Sequence, residues 1–226
     1  MCYAAAMAAK SQWTRERILE AARRAFNRAG WVRTDTHDVA REARMSPGNL
    51  YYHYPDKKAI VRDLFERIEI YDEQAWRNWA ASGAEAFPAF LDFFFGSALR
   101  HRFFFLDFSA LMREDPTLAR RWRVRHERLS AALAAAARAW VDAGLMRPFG
   151  SEEDAQAFVD NAWILCHYAA AYVQAKAMLP AEQAHADGLR LVISFLRPYH
   201  TPAGHRHLDR CAARLGASKE LESARA

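Results

Sequence analysis

The 226-residue sequence is short of the residues that build strands and of those that build disulfides. Its 19 β-branched residues (8 Val, 6 Ile, 5 Thr) stand against 46 Ala. Alanine loses no side-chain freedom in a helix, whereas β-branched residues suit a pleated surface, so a β-rich fold is excluded. Cys2, Cys166 and Cys211 are an odd number, far apart, with no CxxC pair. That excludes a disulfide framework and is expected of free thiols in a reducing compartment. Long uncharged runs are missing too. The longest, Asn161 to Ala175, is 15 residues, below the roughly 18 that a bilayer span requires. No basic residue precedes Lys10 and no long apolar run follows, which is unlike a signal peptide. The expected location is the cytoplasm. At 52% hydrophobic residues the chain has material for a core and is not of the disordered class.

The formal charge of +5 is unevenly spread. Residues 1–60 hold 11 Lys+Arg against 6 Asp+Glu, while residues 61–226 hold 21 of each. The whole basic excess sits in the first quarter of the chain, where it would supply a salt-dependent attraction to an acidic polymer.

Helix punctuation then organises the chain. Thr14 reads as an N-cap ahead of Ile18, Ala22 and Phe26, with a stop at Gly30. Asp35 opens a second, short helix whose inner face is Val39, Ala40 and Ala43. Ser46 and Pro47 open a third, with serine as cap and proline at the position where its missing N–H costs nothing. The last two, joined by a tight turn, make a helix-turn-helix. Asp56 caps a long fourth helix bearing Ile60, Leu64, Ile68 and Tyr71. Further helices follow Pro88, span Phe103–Glu114, and run from Asp115-Pro116 to Gly144. Ser151 opens another that reaches Met178, and Leu189, Val192, Ile193 and Leu196 mark one after Pro180. The expected fold is all-α, with about nine helices.

The stretch from Trp31 to Lys58 carries the chemistry. Pro47, Gly48 and Asn49 leave the third helix with no bulky side chain at its N-terminus, so that end can press into a groove. Asn49 can bond adenine N6 and N7 together, a base-specific contact. Tyr52 and His53 bring donors one turn later, and Lys57 is a phosphate partner at the start of the next helix. For His53, a structural hydrogen bond is the alternative.

This stretch resembles the DNA-binding domain of the TetR family of bacterial transcriptional regulators. The likeness rests on Thr14 to Phe26 with Gly30, on Asp35 to Ala43, on Ser46-Pro47-Gly48-Asn49-Leu50-Tyr51-Tyr52-His53-Tyr54, and on Lys57. The resemblance implies that Tyr51 is a core residue and that Tyr52, His53 and Lys57 touch the DNA backbone. It also implies that Pro47, Gly48 and Asn49 face base edges and that Thr36 and His37 lie near the backbone or groove wall. Arg44 stands where the family commonly has glycine in the turn. Either the turn is reshaped, or Arg44 takes a positive φ and adds a phosphate contact. The implied organisation is a tail (1–12), a helix-turn-helix domain (13–57), a ligand-binding and dimerisation domain (58–200) and a C-terminal tail (201–226). The implied function is a homodimeric repressor on a palindromic operator in double-stranded DNA, released by a small apolar or aromatic effector. A helical small-molecule-binding protein or enzyme without DNA affinity is the alternative.

Nine phenylalanines lie within residues 87–108. They are either plain core or, in part, the lining of a pocket between helices. With His101, Arg102 and His167 as further polar neighbours, the candidate ligand residues are Phe94, Phe104, Phe108, His126, Asn161, Leu165, Tyr168 and Tyr172. Phe158, Asn161, Leu165, Tyr168 and Tyr172 share one helix face. For the dimer, Ala162, Ala169 and Val173 combine with the Leu189, Val192, Ile193 and Leu196 stripe in an expected four-helix interface, or else these helices pack only within the chain. His200, His205, His207 and Cys211 are read as incidental residues of a solvated tail, and no metal or cofactor is expected. No P-loop, GxSxG or dinucleotide fingerprint occurs. His126-Glu127 begins like a zincin helix, but Ser130 occupies the second histidine position, so no enzyme is expected.

Overall fold

The computed structural model describes residues 2–177 and 181–223; within these, the side chains of residues 2–6, 8, 71–72, 80–82, 94–95, 170–171, 174, 177, 181–183, 185–186 and 214–223 are not described. The described elements are α1 (Cys2–Ala29), α2 (Thr36–Glu42), α3 (Pro47–His53), α4 (Lys57–Ser82), α5 (Phe87–Arg100), α6 (Arg102–Leu106), α7 (Phe108–Glu114), α8 (Pro116–Asp142), α9 (Glu152–Ala177), α10 (Ala181–Leu196) and α11 (Pro202–Ser223). Two 3₁₀ turns, Gly83–Ala86 and Arg197–Tyr199, complete them. Among the described residues there is no strand, only an isolated bridge between Met146 and His200. Nor is any described helix long and apolar enough to cross a membrane.

Local signals form as their sequence dictates. The Asp35 carboxylate accepts from the Asp38 amide (2.8 Å) while the Asp38 carboxylate accepts from the Asp35 amide (3.1 Å), a reciprocal capping box at α2. Ser46 accepts from the Asn49 amide (3.2 Å), Asp56 from Ala59 (2.7 Å) and Ser151 from Asp154 (3.1 Å). Thr14 is different. It lies inside α1, where its hydroxyl donates back to the Lys10 carbonyl (2.9 Å). Residues 2–12 continue the helix, since the alanine-rich start favours helix strongly.

The chain divides into two compact units: residues 1–70 with 101–121, and residues 71–100 with 122–226. In the first, α1, α2, α3 and the start of α4 bury Ile18, Phe26, Val39, Leu50, Ile60, Leu64 and Phe65. Residues 101–121 belong to this core rather than to a separate bundle. Phe103 packs on Phe26 (ring centroids 5.2 Å apart), and Phe104 stacks on Phe65 (5.1 Å). The end of α1 is held at the same place. Its Asn27 carbonyl accepts from Arg102 (3.0 Å), and the Asn27 side chain accepts from the Phe103 amide (3.1 Å). Asp107 accepts from the Trp31 amide (2.6 Å), just after Gly30 turns at φ +84°. Engaged there, Asp107 sits between α6 and α7, so the single helix expected over Phe103–Glu114 is broken.

The second unit packs α5, the later part of α8, α9, α10 and α11 around Trp79, Phe87, Phe90, Trp140, Phe158 and Leu208. Here two expectations are corrected. Ala162, Ala169, Leu189, Val192, Ile193 and Leu196 are all buried within this one chain, and Val173 is half-buried. The stripe on α10 packs against α9 and α5, so it is core and not an external dimer face. The stretch read as a solvated tail is helical where it is described, and part of it is buried. Residues 202–223 form α11, with His207, Leu208 and Cys211 buried. Thr201 caps this helix by accepting from the Gly204 amide (3.2 Å) and donates to the Gly144 carbonyl (2.7 Å).

Candidate nucleic-acid interface and effector pocket

The helix-turn-helix turn is left-handed at Arg44, with φ +54°. The Arg44 amide donates to the Arg41 carbonyl (3.1 Å) and the Met45 amide to the Ala40 carbonyl (3.0 Å). Of the two expectations for Arg44, the positive φ is the one observed, at a cost of about 1 kcal/mol for a non-glycine residue. Its side chain is exposed.

α3 is only seven residues long and buries Leu50 alone. Pro47, Gly48, Asn49 and Tyr52 are exposed, Tyr52 to 83%. A methyl group added at Gly48 would meet nothing within 4 Å. His37 is exposed and Thr36 half-buried, its hydroxyl 2.8 Å from the Tyr51 phenol. That phenol ties α3 to α2 at the surface, so Tyr51 is not the core tyrosine. Tyr54, four residues after Leu50 and therefore on the same inner face, fills that role. Its phenol donates to Asp63 (2.8 Å), and Arg15 lies over its ring. His53 is half-buried with its ring edge against Tyr52. Burial, aided by Arg15, holds its imidazole below the ordinary histidine range, so at pH 7 it is a neutral hydrogen-bonding group.

Lys57 has a different setting from the phosphate-facing one expected. Its amine donates to the carbonyls of Trp31 (3.0 Å), Thr34 (3.1 Å) and Val32 (3.5 Å) and lies 4.2 Å from the centre of the Trp31 ring. Burial holds it below the usual lysine range. It fastens the loop between α1 and α2, an arrangement that only the folded loop reveals.

The candidate ligand residues are divided between the two units. Phe104 and half-buried Phe108 lie in the first unit, and the Phe94 side chain is outside the described residues. Asn161, Tyr168 and Tyr172 are exposed on α9, and Leu165 is half-buried. Because α9 packs its other faces on α5 and α10, this face turns outward. His126 lies in the second unit, stacked on Trp122 (4.9 Å) and against the edge of Trp163 (5.0 Å). Buried His167 donates through Nδ1 to the Trp163 carbonyl (2.7 Å), and burial pushes it down to about 3. What the second unit does contain is an apolar cavity of about 50 Å³, walled by Trp76, Phe87, Phe90, Phe158 and Trp163. Phe87 and Phe90 belong to the phenylalanine cluster and Phe158 to the noted face, but Trp76 was not singled out. Its signal is the pair Trp76 and Trp79, three residues apart and separated by the exposed Arg77 and Asn78. Among the described residues, no group of three or more His, Cys, Asp or Glu is arranged to hold a metal.

Comparison with known proteins now adds to this geometry. Residues 18–64 match the family model of bacterial regulatory proteins of the tetR family, and residues 63–208 match the TetR model of a bacterial transcriptional repressor. The HTH-type transcriptional regulator TtgR of Pseudomonas putida is 37% identical over 67 residues, which are 29% of this chain and 32% of that protein. UidR of Escherichia coli K12 is 34% identical over 58 residues, 26% of this chain and 30% of its own length. The matched part thus spans about a third of these curated relatives. A crystal structure of a TetR-family transcriptional regulator from Marinobacter aquaeolei superposes with a TM-score of 0.76 at 25% identity, covering 87% of this chain and 96% of that one. The two family models together run through both units, and the chain belongs to the TetR family of bacterial transcriptional regulators.

Proposed function

We propose that the chain is a homodimeric transcriptional repressor that reads a palindromic operator through α3 and releases it when a small molecule binds the second unit. The observation that carries this is the bare, exposed N-terminal turn of α3. No described residue comes within 4 Å of a methyl group placed at Gly48, so packing among them does not call for glycine there, and glycine in a helix is unfavourable by about 1 kcal/mol against alanine. Close approach of another molecule explains it. In this reading Pro47, Gly48 and Asn49 meet base edges, while Thr36, His37, Arg44, Tyr52 and His53 meet the phosphate backbone. Lys57 acts through the loop it fastens. Asn49→Ala is expected to lower affinity for a selected operator about 10- to 100-fold, the scale of one bidentate base contact, with affinity for random DNA unchanged. Fluorescence anisotropy on both fragments checks this; equal losses on both would refute base reading by Asn49.

The outward face of α9 supports the dimer. Ile164, Tyr168 and Tyr172 are 57%, 37% and 57% exposed, a stripe of apolar and aromatic area at helical spacing. A dimer that reads both half-sites must hold its two recognition helices about 34 Å apart, one turn of DNA. Ile164→Asp should leave the fold intact and give a monomer in sedimentation at micromolar concentration, with operator affinity down at least 100-fold. An unchanged dimer would exclude this face. Coupling to ligand follows from connectivity. α4 begins four residues after α3 ends and carries Trp76 into the cavity wall. By linkage, a ligand that weakens DNA binding is itself bound more weakly by the DNA-bound protein.

A further inference from the structure

Of the seven tryptophans, five are at most 8% exposed and Trp122 is half-buried, but Trp13 is 60% exposed. Its ring is nevertheless held in place. The Arg17 guanidinium lies 4.7 Å from the ring centre and donates to the Ala43 carbonyl (2.8 Å), at the turn between α2 and α3. One arginine thus ties the indole to the helix-turn-helix. Lys10, Trp13 and Arg17 follow one another at three and four residues, the spacing of neighbours on one helix face. The stripe is positive. Lys10 is exposed and meets no carboxylate among the described residues, and Arg17 bonds a neutral carbonyl. The nearby acid Glu16 is engaged by Arg67. Exposed Arg44, next to Ala43, adds a further basic side chain. A single exposed apolar side chain is commonplace on a protein surface. This one is fixed among cations, beside the recognition helix.

We infer that Lys10 and Trp13 form a further DNA contact outside the base-read groove, the indole N–H and the Lys10 ammonium donating to phosphates while Arg17 positions the ring. The inference rests on the reading that α3 enters the major groove. That groove is about 12 Å wide and walled by phosphates, so groups carried beside an inserted helix meet its wall and not its base edges. The surface from Trp13 through Ala43 and Arg44 to Pro47 is continuous, and α3 brings a polyanion to one end of it. The indole N–H is a donor only, which suits a phosphate oxygen. Backbone contacts carry no sequence information, so this one strengthens binding to every duplex and deepens its salt dependence.

The test is fluorescence anisotropy of the full chain on a selected operator and on a random duplex, over a range of salt. Trp13→Phe keeps a ring over Arg17 and removes the donor. It is expected to lower affinity about tenfold on both duplexes, the scale of one hydrogen bond to a charged group. Lys10→Gln should flatten the slope of log affinity against log salt by about 0.9 per protomer. Trp13 can also be read directly, since it is the exposed tryptophan: operator should reduce acrylamide quenching of the intrinsic fluorescence in the parent but not in Trp13→Phe. Melting temperature and sedimentation of both variants should match the parent. Unchanged affinity in Trp13→Phe, an unchanged slope in Lys10→Gln, or quenching that operator leaves as it was each overturns the inference. A loss confined to the operator overturns it as well, because it makes Trp13 a reader of bases. A lower melting temperature or a lost dimer in Trp13→Phe overturns it in favour of a structural or self-association role. A parent chain that binds neither duplex overturns instead the reading of α3 as a DNA-reading helix.

Discussion

Gly204→Ala is expected to lower the melting temperature by about 6–12 °C, because α11 meets the rest of its unit at a point with no room for a methyl group. A Cβ built at Gly204 lies 2.0 Å from the Leu145 carbonyl oxygen, 2.7 Å from His200 Cδ2 and 3.0 Å from His200 Cβ. None of these is the free end of a long side chain. His200 is fully buried, its Nδ1 donates to the Leu196 carbonyl (2.7 Å), and its ring stands edge-on to Trp140. Leu145 is fixed in turn, since its carbonyl accepts from the Thr201 amide (3.0 Å), while the Tyr199 carbonyl accepts from the Arg147 amide (2.8 Å). Relief requires the backbone of α11 to shift, undoing the burial of Leu208 and Cys211. Overpacking of this sort costs about 3 kcal/mol, and each kcal/mol moves the midpoint by about 2–4 °C in a chain of this size. Thermal denaturation followed by circular dichroism checks it. A midpoint within 2 °C of the parent would show that the two segments do not touch as described.

What the amino-acid sequence made legible, and what it hid, divides by the range of the interaction. Caps connect residues three apart, so Asp35–Asp38, Ser46–Asn49 and Ser151–Asp154 could be read directly and all formed. The positive φ of Arg44 was likewise one of two local outcomes. Burial was legible as a periodic stripe, but the identity of the neighbour was not. Leu189, Val192, Ile193 and Leu196 are as buried as their spacing demands, yet against α9 and α5 of the same chain. Phe104 reads as interior, and nothing local says that it stacks on Phe65 in the first unit. Tyr51 lies on α3 and Tyr54 just past its end, three positions on, and only the direction fixed by Leu50 separates inside from outside. α11 was unreadable because its docking depends on Gly204 approaching a carbonyl 59 positions earlier in the chain. Of the candidate site, the tip of α3 was local and legible. The cavity was not, since its walls come from α4, α5, α8, α9 and α10.

The second large effect is expected at Asp115, where a cap and an ion pair share one carboxylate. The side chain is 3% exposed and accepts from Arg62 through two bonds, 2.7 and 3.1 Å. The Thr117 and Leu118 amides also donate to it, at 3.0 and 3.1 Å, at the start of α8. Asp115→Ala removes the cap and leaves Arg62 facing a buried gap. Loss of one partner from a buried pair costs about 3–5 kcal/mol. The lower end applies, because the Arg62 side chain remains 35% exposed and can regain water. The same site sets a pH dependence. Burial alone would raise the Asp115 carboxyl, but Arg62 and the two amides hold it below its ordinary value of 3.8. A carboxyl depressed on folding contributes fully above its unfolded value and loses that contribution as pH falls through its folded one. The gap in melting temperature between the parent and Asp115→Asn should therefore be widest from pH 5 upward and narrow below about pH 4. A gap that stays constant down to pH 3 would mean that the carboxylate charge at Asp115 contributes nothing. Arg62 sits in the second turn of α4, directly after the recognition helix. Loosening it is therefore expected to weaken operator binding by Asp115→Ala well below its melting temperature, with Asn49 and every other base-facing residue unaltered.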